Sequence, residues 1–431
     1  MKLFLNIIAV MTAMASLTMA QPSLSLRSSS EAVLAAAQAS YPTCSLKCML
    51  EVIPASTCSA TDIICLCTNA ELQASITLCA MKSCTVFELL TTKNVTETMC
   101  SAPVRNRTQA VSHIGVIGGC VALLAFFLRI LSSVVTVRQW GMDDWAMCSV
   151  VALAIPPTVF SVLLANNGLG KDMWTLTADN ITNILFYYFL GECFYLASMA
   201  MIKVTFCLLF LRVFREKPFI HFVWGTLGLA VAYGISFVAA TIFQCWPISY
   251  SWNQWDGLHT GSCNNVNLQG WLSSIFNIIL DLVVIGLPLG KLSKLVMSPT
   301  KKITIMFMFS LGLFVTTISV IRLQSLIQFA NTTNVTWDYV PAAYWSTLEL
   351  HVGIICGCLP SLRPLLNLIM PKLQSTVAVS TARTGGTTGK RSYMSSKPSA
   401  PKRNEKGDFI PLHDVDPSGS KFSVNTHCTA V

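Results

Sequence analysis

Apolar and polar positions fall into blocks along this chain. Lys2 precedes an apolar run from Leu3 to about Leu17 that closes in Thr18-Met19-Ala20, a small-x-small sequence. A basic start, a run short for a membrane span and a small-residue end predict a signal peptide over residues 1–20, removed on export. A Ser- and Ala-rich lead occupies residues 21–40, a cysteine-crowded segment of mixed polarity residues 41–100, and a connector residues 101–112. Seven long apolar stretches then follow, at 113–137, 144–165, 184–211, 219–243, 268–290, 303–329 and 344–369. Each is long enough as a helix to cross a hydrocarbon core of about 30 Å at about 1.5 Å per residue. Residues 371–431 are rich in Ser, Thr, Gly, Lys and Pro and show neither a helix nor a strand period, so a disordered tail with many phosphorylatable hydroxyls is expected there.

Composition agrees with a lipid solvent. The chain of 431 residues is 53% hydrophobic and only 11% charged, where a soluble domain carries about 25% charged residues. The expected fold is an all-α membrane protein: a seven-transmembrane helix bundle over 113–370 preceded by a small, disulfide-rich, helical extracellular domain. An exported N-terminus and an odd number of crossings put the C-terminus in the cytoplasm, in a multi-pass protein of the plasma membrane. Basic residues follow that orientation, with Arg138, then Arg212, Arg215 and Lys217, then Lys291, Lys294, Lys301 and Lys302, then Arg363 and Lys372 on cytoplasmic segments, and Lys171 as the exception outside. Five Asn-x-Ser/Thr glycosylation sequons, at Asn94, Asn106, Asn180, Asn331 and Asn334, all fall on outer segments. The net charge of +9 therefore faces anionic membrane lipid and requires no nucleic acid.

Eight of the seventeen cysteines lie between Cys44 and Cys100, in the order Cys44, Cys48, Cys58, Cys65, Cys67, Cys79, Cys84 and Cys100. An exported segment this small predicts disulfides, because its core is too small to offset the entropy of its unfolded chain unaided. Spacing alone leaves all 105 pairings of eight cysteines open. Zinc, the rival reading, is disfavoured by the oxidising compartment and the lack of His among them. The run Pro42-Thr43-Cys44, Cys48 and the later Cys65-Leu66-Cys67 resemble the fungal CFEM domain. That resemblance implies the pairs Cys44–Cys84, Cys48–Cys79, Cys58–Cys65 and Cys67–Cys100. It also implies Asp62 as an axial ligand for ferric haem, whose iron(III) suits a hard carboxylate oxygen. A carboxylate before Ile63 and Ile64 is equally suited to capping a short helix.

From Val111 onward the chain resembles a second family, the fungal integral membrane proteins with a rhodopsin-like domain, which include receptors of the appressorial type. The matching residues are Gly141-Met142-Asp143-Asp144-Trp145, Lys203, Leu211-Arg212-Val213-Phe214, Cys245-Trp246-Pro247, Trp252, Cys263, Asn277, Asp281, Pro288, Lys302-Ile303, Gly312, Arg322, Trp345, Glu349 and Leu359-Pro360. Ionisable groups inside spanning helices are costly unless paired or hydrated. By depth, Glu192, Arg322 and Glu349 fall in the outer half and could share one polar site, Asp281 lies near mid-depth, and Lys203, Arg129 and Asp144 lie toward the inner face, where long basic side chains can reach the interface; Glu192, Arg322, Glu349, Asp281 and Lys203 together are the expected intramembrane polar site. Structural ion pairing competes with ligand binding at each of these positions. A bridge between Cys245 and Cys263 would brace an outer lid with Trp246, Trp252 and Trp255, which also suit interfacial anchoring.

The seventh stretch, Tyr344 to Met370, has no lysine to form a retinal Schiff base, which argues against light sensing. No P-loop, Gly-x-Ser-x-Gly or His-Glu-x-x-His occurs, so no enzyme is expected. The function expected is a cell-surface receptor that senses an unidentified extracellular ligand, with a heterotrimeric G protein as the cytoplasmic partner implied by family and topology alone. The alternative is a haem- or iron-binding membrane protein that captures haem.

Overall fold

The computed structural model describes residues 40–60, 62–136, 139–214, 216–292, 299–328 and 332–381. The signal segment, the lead, Arg138, Arg215, Lys294, Asn331 and the chain after Thr381 lie outside the described residues. The chain divides into one unit over Met1–Lys372 and a second over Leu373–Val431.

In the N-terminal region four helices, α1 (Thr43–Val52), α2 (Ile63–Thr68), α3 (Ala70–Ser83) and α4 (Val86–Met99), surround a small apolar core of Leu72, Ile76 and Cys58. Local chemistry sets their ends. Asn69 caps α3 by accepting the Leu72 N–H at 3.1 Å. Thr85 and Glu88 form a capping box on α4, in which the backbone and hydroxyl of Thr85 hold the Glu88 carboxyl below its ordinary range. Disulfides join Cys44 to Cys84, Cys48 to Cys79, Cys58 to Cys65 and Cys67 to Cys100. Three of them span 31 to 40 residues, and closing a loop of that length restricts the unfolded chain by about 3–4 kcal/mol.

Among the described residues seven helices are long and apolar enough to cross a membrane: α5 (Thr108–Val135), α6 (Met142–Asn167), α7 (Ala178–Val213), α8 (Lys217–Ile242), then α10 (Val266–Leu292), α11 (Pro299–Gln328) and α13 (Val340–Thr381). The short α9 (Tyr250–Asn253) and α12 (Val335–Asp338) lie in loops. The last helix runs to Thr381, so the first part of the expected disordered tail is helical. In the spanning windows of α7 and α13, 61% of the residues are buried, against 28–39% in the other five, which identifies these two as the centre of the bundle. Their shared core packs Leu196, Met199 and Ile202 against Leu350 and Ile354, with Met147 and Val150 of α6. Small residues on α5 allow close approach, since a Cβ on Gly118 would stand 2.5 Å from Nδ1 of the buried His351 on α13.

The loop between α8 and α10 folds back over the bundle. Its two-residue strands β1 (Cys245–Trp246) and β2 (Ser262–Cys263) pair antiparallel with Cys245 opposite Cys263, and a disulfide joins these two. Trp252 packs on Phe186 and Phe189 of α7, and Trp255 donates to the Thr182 hydroxyl at 3.1 Å. These two indoles are packing residues, whereas Trp246 is exposed.

The N-terminal region rests on the same loops. Phe87 meets Trp255 edge-on at 5.3 Å, and Lys93 lies 5.5 Å from the centre of the Trp174 ring. Arg105 pairs with the buried Asp172, and both Arg105 and Arg107 stack on Trp337, at 4.3 and 4.5 Å. The Arg107 N–H donates to the Gly170 carbonyl at 2.8 Å. Gly170 has φ +104° and a Cβ there would lie 2.7 Å from the Arg107 backbone, so only glycine suits this crossing.

This packing corrects one expectation. Asn334 is buried, donates from its amide to Asp172 at 2.8 Å and accepts the Met173 N–H at 3.0 Å, so its side chain is committed to holding two loops together. Asn94 and Asn106 are exposed and Asn180 is half-buried. Peptide mapping of the protein expressed in a glycosylating host should find glycans at Asn94 and Asn106 and an unmodified Asn334; an occupied Asn334 would show that these loops pack differently.

Candidate functional site

Most ionisable side chains within the bundle belong to two clusters, one toward the end that carries the N-terminal region and one at the far end.

At the first, Glu349 of α13 is fully buried and accepts four hydrogen bonds. The donors are the Tyr195 hydroxyl of α7 at 2.6 Å, the Asn277 amide of α10 at 2.9 Å, and from α11 the Ser319 hydroxyl at 2.5 Å and Arg322 Nε at 3.0 Å. Arg322 also lies over the Tyr195 ring at 4.9 Å. Asn277 carries the network onward, since its carbonyl accepts from Lys203 Nζ at 2.7 Å while its amide also reaches Asp281 at 3.3 Å. Lys203 closes the chain by pairing with Asp281 at 3.0 Å. These four belong to the expected intramembrane polar site, although depth put Lys203 and Asp281 further in than Arg322 and Glu349. The structure joins all four, and Lys203 is fully buried. An ammonium in an apolar bundle is held by the nearest carboxylate and amide in place of water.

Two cations and two anions thus neutralise each other across α7, α10, α11 and α13. Glu192, the third member of the expected outer site, does not join. It lines a cavity of about 400 Å³ bounded by the helices and, at the module end, by Ser251, Gln254 and Cys263 of the disulfide-braced loop. Arg322 lines that cavity too, so the network forms its floor while Glu349 lies beneath.

The far-end cluster was not assembled by sequence reasoning, although its members were noted separately. Arg129 of α5 donates to Asp143 at 2.7 Å and to Asp144 at 2.8 and 3.1 Å, both in the first turn of α6, and its Nη1 reaches the Gly357 carbonyl of α13 at 2.8 Å. Arg212, at the end of α7, donates to the same carboxylates at 2.7 and 3.1 Å and to the Gln139 carbonyl at 2.6 Å. The carboxylates also complement the positive N-terminus of α6. A Cβ at Gly141 would lie 2.4 Å from Asp143 Oδ1 and 2.5 Å from Arg212 Nη1, so a larger residue there would push these paired side-chain ends aside. The signal in the sequence was the Gly-x-Asp-Asp run beside two arginines, but nothing in it says which arginine comes to which carboxylate.

In the N-terminal region, Asp62 is exposed and caps α2, accepting the Cys65 N–H at 3.1 Å. Its neighbours Ala60 and Ile63 line a hollow of about 180 Å³ with Leu46, Leu50 and Ile53. Cys44, Cys84 and Glu88 come together within 4.8 Å, but the disulfide occupies both sulfurs, which leaves no thiolate for a metal.

The sequence matches the fungal rhodopsin domain over residues 128–368 and the CFEM domain over residues 37–101. It is similar to a SAT4 family membrane protein of Emericella nidulans, 26% identical over 47% of this chain and 52% of that protein. It is also similar to Receptor GIN3 of Arthrobotrys oligospora, 24% identical over 69% of this chain and 74% of the relative. A third relative is polyenoic acids biosynthesis gene cluster protein Ba17b of Metarhizium anisopliae, 23% identical over 70% and 85%. The match thus spans about half the length of the first relative. No solved structure matches.

Removing Glu349 strips four donors of their acceptor and leaves Arg322 uncompensated. Breaking a buried pair from one side costs about 3–5 kcal/mol. Glu349→Ala should lower the melting temperature of the purified protein clearly, and Glu349→Gln, which keeps an acceptor oxygen, should do so less. Equal melting of all three proteins would show that this network holds nothing together.

Proposed function

The chain belongs to the fungal rhodopsin domain family, and from that premise we propose that it is a cell-surface receptor of the plasma membrane, with its N-terminal region outside and its C-terminus in the cytoplasm. The observation that carries the reading is a cavity of about 400 Å³ floored by an ionic network that reaches four helices at once. An occupant touching Arg322 competes with Glu349 for the guanidinium, and Glu349 is bonded to α7, α10 and α11 together. A ligand that favours one arrangement of those helices shifts the population toward it by its differential affinity. The far-end cluster, linking α5, α6, α7 and α13 through Arg129 and Arg212, is the element that such a shift would loosen. The similarity to Receptor GIN3 supports this reading.

The partner we assign to the far end is a heterotrimeric G protein. Arg212 is partly exposed there and spans both carboxylates. Arg212→Ala should free the end of α7 and raise basal Gα association several-fold in coimmunoprecipitation from cells expressing the full chain. If neither the variant nor the stimulated wild type recovers Gα or any other cytoplasmic partner, the receptor reading fails.

A second reading, haem capture, is favoured by the apolar hollow beside Asp62. The donor set suits ferric iron: a hard, exposed carboxylate, with no His and no free thiol among the described residues of the region. Asp62 would hold the iron and Ile63, Leu50 and Ile53 the apolar face of the macrocycle. Titration of the purified full chain with ferric haem should then give a stoichiometric Soret band that Asp62→Ala removes. A band unchanged in the variant, or none in wild type, excludes this site.

A further inference from the structure

We propose that the cavity within the bundle takes a small organic amine that also carries a hydrogen-bond acceptor oxygen. The proposal deepens the receptor reading and rests on it for its physiological consequence, while the binding itself stands on the geometry of the cavity.

Charge is the first argument. Arg322 is matched by Glu349 and Lys203 by Asp281, each pair at 3.0 Å, so the network under the cavity sums to zero. Glu192 stands outside this balance. It lines the cavity, and among the described residues it makes no hydrogen bond and no contact ion pair, the Arg322 guanidinium acting on it only across the cavity. Glu192 is half-buried, and a carboxylate partly withdrawn from bulk water is costly until a cation or a proton joins it. The occupant that lowers this cost without neutralising the carboxyl is positively charged, and Tyr188 and Tyr339, which line the same walls, add aromatic surface that suits a cation.

Unpartnered polar atoms are the second argument. On residues that line this cavity, four buried atoms have no hydrogen-bond partner among the described residues: Arg322 Nη2, Trp271 Nε1, Gln244 Oε1 and Ser251 Oγ. Arg322 and Gln244 are themselves over nine-tenths buried. Two of these atoms are donors only, Arg322 Nη2 and Trp271 Nε1, and they call for an acceptor oxygen. Gln244 Oε1, like Glu192, calls for an N–H or O–H. Water can answer individual atoms of this set, but it offers Glu192 no positive charge. A volume of about 400 Å³ lies in the range of small-molecule sites, about 300–1,000 Å³.

The test uses the full chain in lipid nanodiscs and a fragment set divided equally among amines, carboxylic acids and uncharged molecules, all bearing an acceptor oxygen. Binding is read by saturation-transfer NMR. Binders should be concentrated among the amines. Glu192→Gln should weaken them about tenfold or more, as loss of one partner of a desolvated charge pair does, whereas Glu192→Asp should retain most of the affinity. The thermal transition of each variant, compared with wild type, reports whether the bundle is intact; if Glu192→Gln fails to fold, the same comparison is made with Gln244→Leu, which should weaken the amines while leaving the carboxylate. Binders drawn mainly from the acids or uncharged molecules, amines indifferent to both variants, or no binder at millimolar concentration would overturn the proposal. Amine binding without any recruitment of a cytoplasmic partner would overturn the receptor reading alone; recruitment without amine binding would overturn this inference alone.

Discussion

A carboxylate buried among apolar helices constrains everything around it. Glu349 has no water to solvate it, so each of its lone pairs must be met by a donor from a neighbouring helix, and the four donors come from α7, α10 and α11. Apolar side chains in lipid pack acceptably in many registers, since lipid tails compete with them on nearly equal terms. A carboxylate with four named donors is satisfied in one. The network thereby selects a single arrangement of four helices, and Lys203 and Asp281 extend the selection by one more neutral pair.

The same logic is repeated at the far end with different partners. Arg129 and Arg212 approach Asp143 and Asp144 from two sides, and Arg129 reaches the backbone of α13 beyond them. Between the two clusters lies the packed core of α6, α7 and α13. Two polar layers separated by an apolar one thus tie the helices together at two depths of the bundle.

At the module end, the disulfide-stapled helices do not sit on a free tether. Phe87, Lys93, Arg105 and Arg107 each find an aromatic or acidic partner on the loops that close the bundle. Trp255, which meets Phe87, belongs to the same loop as Ser251 and Gln254 at the cavity wall, so the N-terminal region and the cavity share one structural element. Asn334 illustrates how this packing changes the meaning of a motif: an accessible sequon in the linear chain becomes an interior hydrogen-bonding residue once two loops meet.

The sequence by itself determined the solvent, the element type and the number of crossings, because hydropathy over some twenty residues is a local property that no tertiary contact has to complete. It also determined that the N-terminal region would be cross-linked, since eight cysteines in an exported segment admit little else. Asp62 read both as a helix cap and as a haem ligand, and the fold places its carboxylate on the Cys65 N–H at the edge of an apolar hollow. Only the tertiary structure decided which charges meet. Depth along a helix axis is legible from residue count, but partnership depends on the rotation of each helix about its axis, and that angle is set by packing against helices far away in the sequence. Lys203 could thus be placed toward the inner face by counting, yet found its partners inward, on α10, and Glu192, one turn from Tyr195, was left facing the cavity without one.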